Sequence, residues 1–104
     1  MVAKEKITRE EVLAYLQEKK EILFSKYQLN KLGLFGSFAK NEASMESDID
    51  LIIDFQPNTP GLHDKKLEIK HLVKSHFGRE VDICTEKYVK PYYRQQILNS
   101  VIYV

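Results

Sequence analysis

Two aspartates one residue apart are the first residues in this sequence whose spacing could do chemistry. Asp48 and Asp50 flank Ile49 at the start of an apolar, β-branched segment. Alternate residues of a strand share a face, so we expect both carboxylates on one side, about 6.6 Å apart along the strand. Because like charges repel at this range, the pair favours a wet sheet edge or a bound cation. Such oxygen ligands suit Mg²⁺, and two of these ions can activate an attacking oxygen and stabilise a leaving one.

A glycine–serine pair precedes the aspartates along the chain. Gly36 and Ser37 follow an apolar segment, and residues 38–47 separate them from Asp48. Glycine lets a ligand approach the backbone closely, and a serine hydroxyl can donate to a phosphate oxygen. Lys40, three residues after Ser37, could add a positive charge. The spacing therefore predicts a phosphate-binding turn beside a metal site.

A third aspartate lies in a later strand-like segment. Asp82 alternates with Val81 and Ile83, so we expect it to project away from the core. If its strand neighbours that of Asp50, it completes a cluster of three carboxylates and could act as general base on an acceptor hydroxyl. Asp54, on the face of Asp48 and Asp50, is the rival third ligand, and Asp82 is preferred. Cys84 is expected to point away from Asp82 as a small core residue.

The elements that must position these residues alternate between helical and strand patterns. Apolar spacing and a Thr8–Glu11 capping box predict a first amphipathic helix. We expect helices over about 8–26, over 62–77 with Gly78 as its C-terminal cap, and from Pro91 onward, and strands over 32–35, 49–55 and 80–84.

Each of the two later helices is expected to bury an apolar stripe. That of the helix over 62–77 comprises Leu62, Ile69, Leu72, Val73 and His76/Phe77, and the last helix would bury Ile97, Leu98 and Val101. The apolar tail over 101–104 could cover the core or offer a partner surface. The order of elements predicts an α+β fold, a small mixed sheet with helices packed mainly on one face, as a single domain over residues 1–104.

Bulk composition limits the classes of function. The chain has 104 residues, 43% of them hydrophobic and 30% charged, with a formal net charge of +1. No global field therefore attracts nucleic acid or an anionic membrane, and we expect no direct nucleic-acid binding. One cysteine, a start over residues 1–6 without an apolar signal segment, and no apolar run of roughly 18 residues predict a soluble, cytoplasmic protein.

Taken together, these motifs resemble a known family. Gly36-Ser37, ten residues, Asp48-Ile49-Asp50 and then Asp82 in a later strand are similar to the signature of the DNA polymerase beta-like nucleotidyltransferase superfamily. The short chain resembles its stand-alone branch, the minimal nucleotidyltransferases. The resemblance implies that Asp48, Asp50 and Asp82 bind two Mg²⁺ ions, that Asp82 also deprotonates the acceptor, and that the Gly-Ser turn holds the triphosphate of ATP.

The resemblance also implies a biological role. Family members of this size often act as antitoxins of HEPN-type ribonuclease toxins, and several are thought to transfer AMP to a toxin tyrosine. We therefore expect an Mg²⁺-dependent transfer of AMP from ATP to a hydroxyl of a HEPN-type partner. One departure stands out, because many relatives carry arginines after the Gly-Ser turn, where this chain has Phe38-Ala39-Lys40-Asn41.

Two other functions fit parts of the pattern. A non-catalytic antitoxin would neutralise its toxin by binding alone, and the missing arginine favours it. A nucleotidyltransferase acting on a small molecule such as an antibiotic would need an acidic pocket for a cationic acceptor, and the chain is too short for a second domain to build one.

Overall fold

The structure is a computed structural model, and it describes residues 6–104. Residues 1–5 lie outside the described residues. The prediction that the chain starts without a signal segment rests mostly on them. Along the chain follow α1 (Arg9–Tyr27), β1 (Leu29–Phe35), α2 (Gly36–Ala39), β2 (Ile49–Phe55), α3 (Leu62–Phe77), β3 (Val81–Thr85), a 3₁₀ turn (Glu86–Tyr88), α4 (Pro91–Ser100) and β4 (Ile102–Tyr103). The predicted helices and strands are present, with bounds within three residues of those expected.

The four strands form one mixed sheet in the order β3-β2-β1-β4. β1 pairs antiparallel with both β2 and β4, whereas β2 and β3 run parallel and are joined through α3. This arrangement places β1 and β2 at the centre of the sheet. It confirms the predicted α+β fold class with a small mixed sheet.

The helical face of the sheet holds the hydrophobic core. On β2, the alternating residues Ile49, Leu51 and Ile53 are fully buried, as are Leu32 and Leu34 on β1. They join one cluster with apolar residues of α1 and α3, among them Val12, Leu16, Leu23, Ile69 and Val73. Burying each such side chain contributes about 1.5–3 kcal/mol. Since this face fixes the strand parity, Asp50 and Asp82 must project from the opposite face.

The first helix begins as the sequence predicts. The Thr8 hydroxyl oxygen accepts a hydrogen bond from the Glu11 amide at 3.1 Å. The reverse half of the capping box differs, because the Glu11 carboxylate accepts from the Thr8 hydroxyl at 3.2 Å. The helix buries Val12, Tyr15, Leu16, Leu23 and Tyr27.

Three expectations about the periphery are corrected. Leu72 is 36% exposed although it follows the helical spacing, because the buried stripe of α3 is narrow and comprises Ile69 and Val73. α4 buries none of its residues fully, and Ile97 and Leu98 are half-buried. The tail forms a strand that was not predicted, in which Ile102 pairs with Leu34 and Tyr103 with Gly33. The two paired residues are too few to give a recognisable alternation.

Within residues 6–104, none of the helices combines the length and apolar character needed to cross a membrane.

Gly33 is where the tail meets the sheet, and it generates a stability prediction. A Cβ at this position would lie 2.7 Å from Val101 Cγ1 and 3.0 Å from Tyr103 Cδ1. Gly33→Ala should therefore lower the free energy of unfolding by about 1–3 kcal/mol, the usual cost of overpacking. In urea unfolding, the Gly33→Ala/Val101→Ala double variant should lose less stability than the sum of the two single variants. Strict additivity would contradict this account of the contact.

Candidate active site

Strand register brings two of the three predicted aspartates together. Asp50 on β2 pairs in register with Asp82 on the parallel neighbour β3. On its other side Asp50 pairs with Phe35, the last residue of β1. Neighbouring strands lie about 4.8 Å apart, so Asp50 and Asp82 project side by side from the same face. Sequence parity predicted the shared face, and the strand order supplies the contact.

The glycine–serine turn lies against the same carboxylate. Gly36 follows Phe35 directly and has a φ of 74°, a left-handed conformation that favours glycine. A Cβ on Gly36 would collide with Asp50 Oδ2, so only a bare backbone fits. Ser37 is half-buried one residue further along α2. The predicted phosphate turn and the central aspartate are therefore in direct proximity.

Burial and like charge perturb the central aspartate. Partial burial, followed by the charges of Asp82 and Asp48, raises the pKa of Asp50 from 3.8 to about 6. The contributions of Asp82 and Asp48 show that both carboxylates lie close enough to act on the charge of Asp50. Each is a hard oxygen ligand, and a divalent cation among them would relieve their repulsion.

Asp48 is held differently from the other two. It precedes the first residue of β2 and is exposed at the end of the connection from α2. The next amide, that of Ile49, donates to the Glu80 carbonyl at 2.9 Å just before β3 begins. Its place therefore depends on a loop as well as on the sheet.

The remaining sequence candidates fall at varying distances from this cluster. Lys40 is exposed at the end of α2, where its amide donates to the Gly36 carbonyl at 3.1 Å. Phe38, where the resemblance led us to look for an arginine, is 1% exposed and belongs to the core. Asp54 pairs with Lys31 at the far end of β2, so the geometry favours Asp82 over Asp54 as the third member.

Cys84 corrects one expectation. The thiol is half-buried on the same face as Asp82, because residues two apart in a strand point the same way. Burial raises the pKa of the Cys84 thiol, Lys66 opposes the rise, and Asp82 and Asp50 add to it. It therefore lines the aspartate face of the sheet.

In the described part of the chain, no three His, Cys, Asp or Glu side chains form a ready-made ligand set for a metal ion. A metal ion bound by these aspartates would therefore need further ligands from other oxygens. Mg²⁺ binds in this way, through one or two carboxylates together with substrate phosphates and water.

One side of the site is bounded by residues that sequence reasoning did not connect with it. Asp82 lines a cavity of about 270 Å³ together with His63, Lys66 and Lys70 of α3. Their spacing of three and four residues places them on one helix face, and the packing of α3 beside β3 determines that this face meets Asp82.

Comparison with known proteins identifies the family. The family model described as "Nucleotidyltransferase domain" matches residues 16–104 of the sequence. This range includes Gly36, Ser37 and the three aspartates. The chain belongs to the nucleotidyltransferase domain family. This nucleotidyltransferase is 35% identical over 98 residues to "Putative protein adenylyltransferase MJ1379" of Methanocaldococcus jannaschii, covering 93% of this chain and 98% of the relative. It is 30% identical over 98 residues to "Protein adenylyltransferase MntA" of Thermococcus cleftensis, covering 94% and 97%.

Solved structures share the fold of this nucleotidyltransferase. A protein described as a "putative minimal nucleotidyltransferase" superposes with a TM-score of 0.78 at 24% identity, covering 94% of this chain and 97% of the other. A toxin-antitoxin structure with AMP-PNP gives 0.66 at 19% identity and coverage of 84% and 70%. A complex of tri-AMPylated Shewanella oneidensis HEPN toxin with MNT antitoxin gives 0.59 at 17% identity and coverage of 86% and 69%. The predicted membership and enzyme class, a nucleotidyltransferase, are confirmed.

The perturbed aspartate makes stability depend on pH. The folded-state pKa of Asp50 is raised from 3.8 to about 6, so its charge disfavours the folded state above pH 6 and has no effect well below pH 4. Asp50→Asn should therefore raise the Tm in metal-free buffer at pH 7.5 more than at pH 4.5. Asp54→Asn, on the same strand face but remote from the cluster, serves as the control. An Asp50→Asn gain that is no larger at pH 7.5 would contradict the assigned repulsion.

Proposed function

We propose that this nucleotidyltransferase transfers AMP from ATP to a hydroxyl of a partner protein, a tyrosine of a HEPN-type toxin, and thereby acts as its antitoxin. The observation that carries the proposal is the position of Asp50, which lies between the Gly36 backbone and Asp82. Relatives named protein adenylyltransferases, at 30–35% identity over nearly their whole length, support AMP as the transferred group. The HEPN toxin of the Shewanella complex supports the class of partner.

The donor is assigned to the turn and the aspartates. Gly36 and Ser37 would hold the triphosphate, with Lys40 supplying a cation from the end of α2. Asp48, Asp50 and Asp82 would hold two Mg²⁺ ions, whose remaining ligands would be phosphate oxygens and water. These ions would neutralise charge that develops on the phosphates and orient the reacting oxygens.

Asp82 is the proposed general base. It is exposed, whereas Asp50 is half-buried against the Gly36 backbone and therefore less open to an acceptor brought by another polypeptide. Asp82 takes the proton of the acceptor hydroxyl, and the oxygen forms a bond to the α-phosphorus of ATP. The bond from that phosphorus to the bridging oxygen breaks, and pyrophosphate leaves with the electron pair.

The acceptor would approach along the exposed edge of β3. On that side, the cavity of about 270 Å³ beside Asp82 adjoins a cleft of about 320 Å³, and Lys66 and Ile83 line both. Tyr93 and Ile97 of α4 provide an apolar wall of the second cleft. An aromatic side chain presented by another polypeptide has an apolar surface to contact here.

Neutralisation by binding alone is the competing function. It is favoured by the burial of Phe38, which commits the position after the Gly-Ser turn to the core and leaves the triphosphate without the cation common in relatives. A pure binder would keep its effect when the aspartates lose their charge, and an enzyme would not.

Replacing the metal-binding aspartates tests catalysis. Asp48→Asn/Asp50→Asn should abolish AMP transfer, by at least about 10³-fold, because charge stabilisation of the phosphates supplies much of the rate. The measurement is intact-mass spectrometry of the co-purified partner after incubation with ATP and Mg²⁺. Asp54→Asn, on the same strand face, should keep the wild-type rate.

The same variants separate the two functions in cells. If the protein acts as an adenylyltransferase antitoxin, the Asp48→Asn/Asp50→Asn variant should fail to protect cells that express the partner toxin. Full protection by this variant, together with an unchanged partner mass in the presence of wild-type protein, would favour neutralisation by complex formation.

Lys40 offers a test of the donor site. Lys40→Ala should raise the KM for ATP by about 2- to 5-fold with little change in kcat, since a solvent-exposed cation contributes up to about 1 kcal/mol. Lys40→Arg should keep or lower the KM. Lys19→Ala, on α1, is the control. An equal change in KM for this variant would contradict the assignment of Lys40 to the triphosphate site.

A further inference from the structure

The three aspartates do not share the same structural support. Asp50 and Asp82 lie within strands, and pairing in the sheet fixes their backbones. Asp48 precedes β2 and ends an irregular connection that begins after α2. Two carboxylates can share a metal ion only when their spacing is constant, so some other contact must hold the backbone of Asp48.

A buried arginine provides that contact. Arg79 is 3% exposed, and its Nη1 donates to the Ser47 carbonyl at 2.8 Å and approaches the Ser44 carbonyl at 3.4 Å. The Ser47 carbonyl belongs to the peptide group that joins Ser47 to Asp48. The guanidinium group therefore holds the peptide immediately before the aspartate.

The residue after Arg79 holds the peptide on the other side. The Glu80 carbonyl accepts from the Ile49 amide at 2.9 Å, and this amide belongs to the peptide group that follows Asp48. Residues 79 and 80 thus fix both peptide planes that flank Asp48. Both lie at the entry to β3, the strand that carries Asp82, so one short segment relates the first aspartate to the third.

Arg79 also reaches the turn that precedes the loop. Its guanidinium carbon lies 5.8 Å from the centre of the Phe38 ring, and Phe38 follows Ser37 in α2. The loop has its own hydrogen bonds, since the Ser47 hydroxyl accepts from the Ser44 amide at 2.8 Å. From the entry to β3, Arg79 therefore contacts both this loop and α2.

The burial of this side chain is energetically costly. Nε and Nη2 of Arg79 are buried and have no hydrogen-bond partner among the described residues. A buried charge that satisfies only part of its hydrogen bonding destabilises the fold relative to a well-packed apolar residue. A contribution to stability therefore does not explain why Arg79 is buried. Its contacts with the loop before Asp48 do.

We propose that Arg79 is a positioning residue that sets the place of Asp48 relative to Asp50 and so tunes the affinity of the site for divalent metal. The inference rests on the proposed function in one respect, the binding of metal by Asp48. It assigns Arg79 no contact with metal, nucleotide or acceptor.

Mn²⁺ binding in the absence of nucleotide, measured by calorimetry on the whole chain, tests the proposal. Arg79→Lys keeps the charge but changes the reach and shape of the donor, and it should weaken Mn²⁺ binding about tenfold, as loss of a supporting hydrogen bond does at other metal sites. Arg9→Lys is the matched control, because Arg9 Nη1 also donates to a carbonyl, that of Ala39 at 3.4 Å. It should leave Mn²⁺ affinity within twofold of wild type.

A double-variant cycle shows whether the effect passes through Asp48. Arg79→Lys should cause little further loss of Mn²⁺ affinity in an Asp48→Asn background, and should keep its tenfold effect in an Asp82→Asn background. Equal losses in both backgrounds, or an unchanged affinity in Arg79→Lys alone, would overturn the positioning role. If Asp48→Asn binds Mn²⁺ as tightly as wild type, the metal assignment of the proposed function fails instead.

Thermal unfolding separates positioning from a general loss of structure. Arg79→Met removes the buried charge, and its Tm in metal-free buffer should be equal to or above that of wild type while Mn²⁺ binding falls at least tenfold. A lower Tm that accompanies the weaker binding would assign Arg79 a structural role. Should Arg79→Met not fold, the Arg79→Lys cycle decides the question alone.

Discussion

The half-buried carboxylate of Asp50, with two more aspartates beside it, is the constraint on which the rest of this site depends. The register of β2 between β1 and β3 places Asp50 beside Asp82 and against the Gly36 backbone. Burial first, and then the charges of Asp82 and Asp48, raise the pKa of Asp50 to about 6. The face of the sheet that carries the aspartates contributes little to stability. The opposite face, covered by helices, provides it through a continuous cluster of large apolar side chains.

The division of the sheet into two faces explains much of what the sequence could predict. Alternation along 49–55 and 80–84 placed the aspartates opposite the core, and β-branched residues marked the strands. Helix bounds followed from local chemistry, the Thr8 cap and Gly78 at the end of α3. These signals lie within one element each, so a single sequence contains them.

What the sequence could not give depends on contacts between elements. β4 has two residues and pairs only because Gly33 leaves room for Val101 and Tyr103. Arg79 follows a helix cap and has no local pattern that distinguishes it from a surface arginine, yet it is buried under the loop before Asp48. Likewise, the spacing of His63, Lys66 and Lys70 marks a helix face, whereas only the packing of α3 beside β3 brings that face to Asp82.

Phe38, the residue after the Gly-Ser turn, also has a role that depends on contacts between elements. Phe38 is part of the core, and its ring lies against the guanidinium group of Arg79. The side chain that follows the Gly-Ser turn therefore packs inside the protein and is not available to contact phosphate. A guanidinium is still present a few ångströms away, but it comes from the entry to β3 and faces loop carbonyls. In the proposed reaction, compensation of the triphosphate charge then falls mainly on the metal ions and on Lys40. In the same proposal the ions depend on the spacing of Asp48 and Asp50, so the contact of Arg79 with the Ser47 carbonyl would act on catalysis through metal affinity.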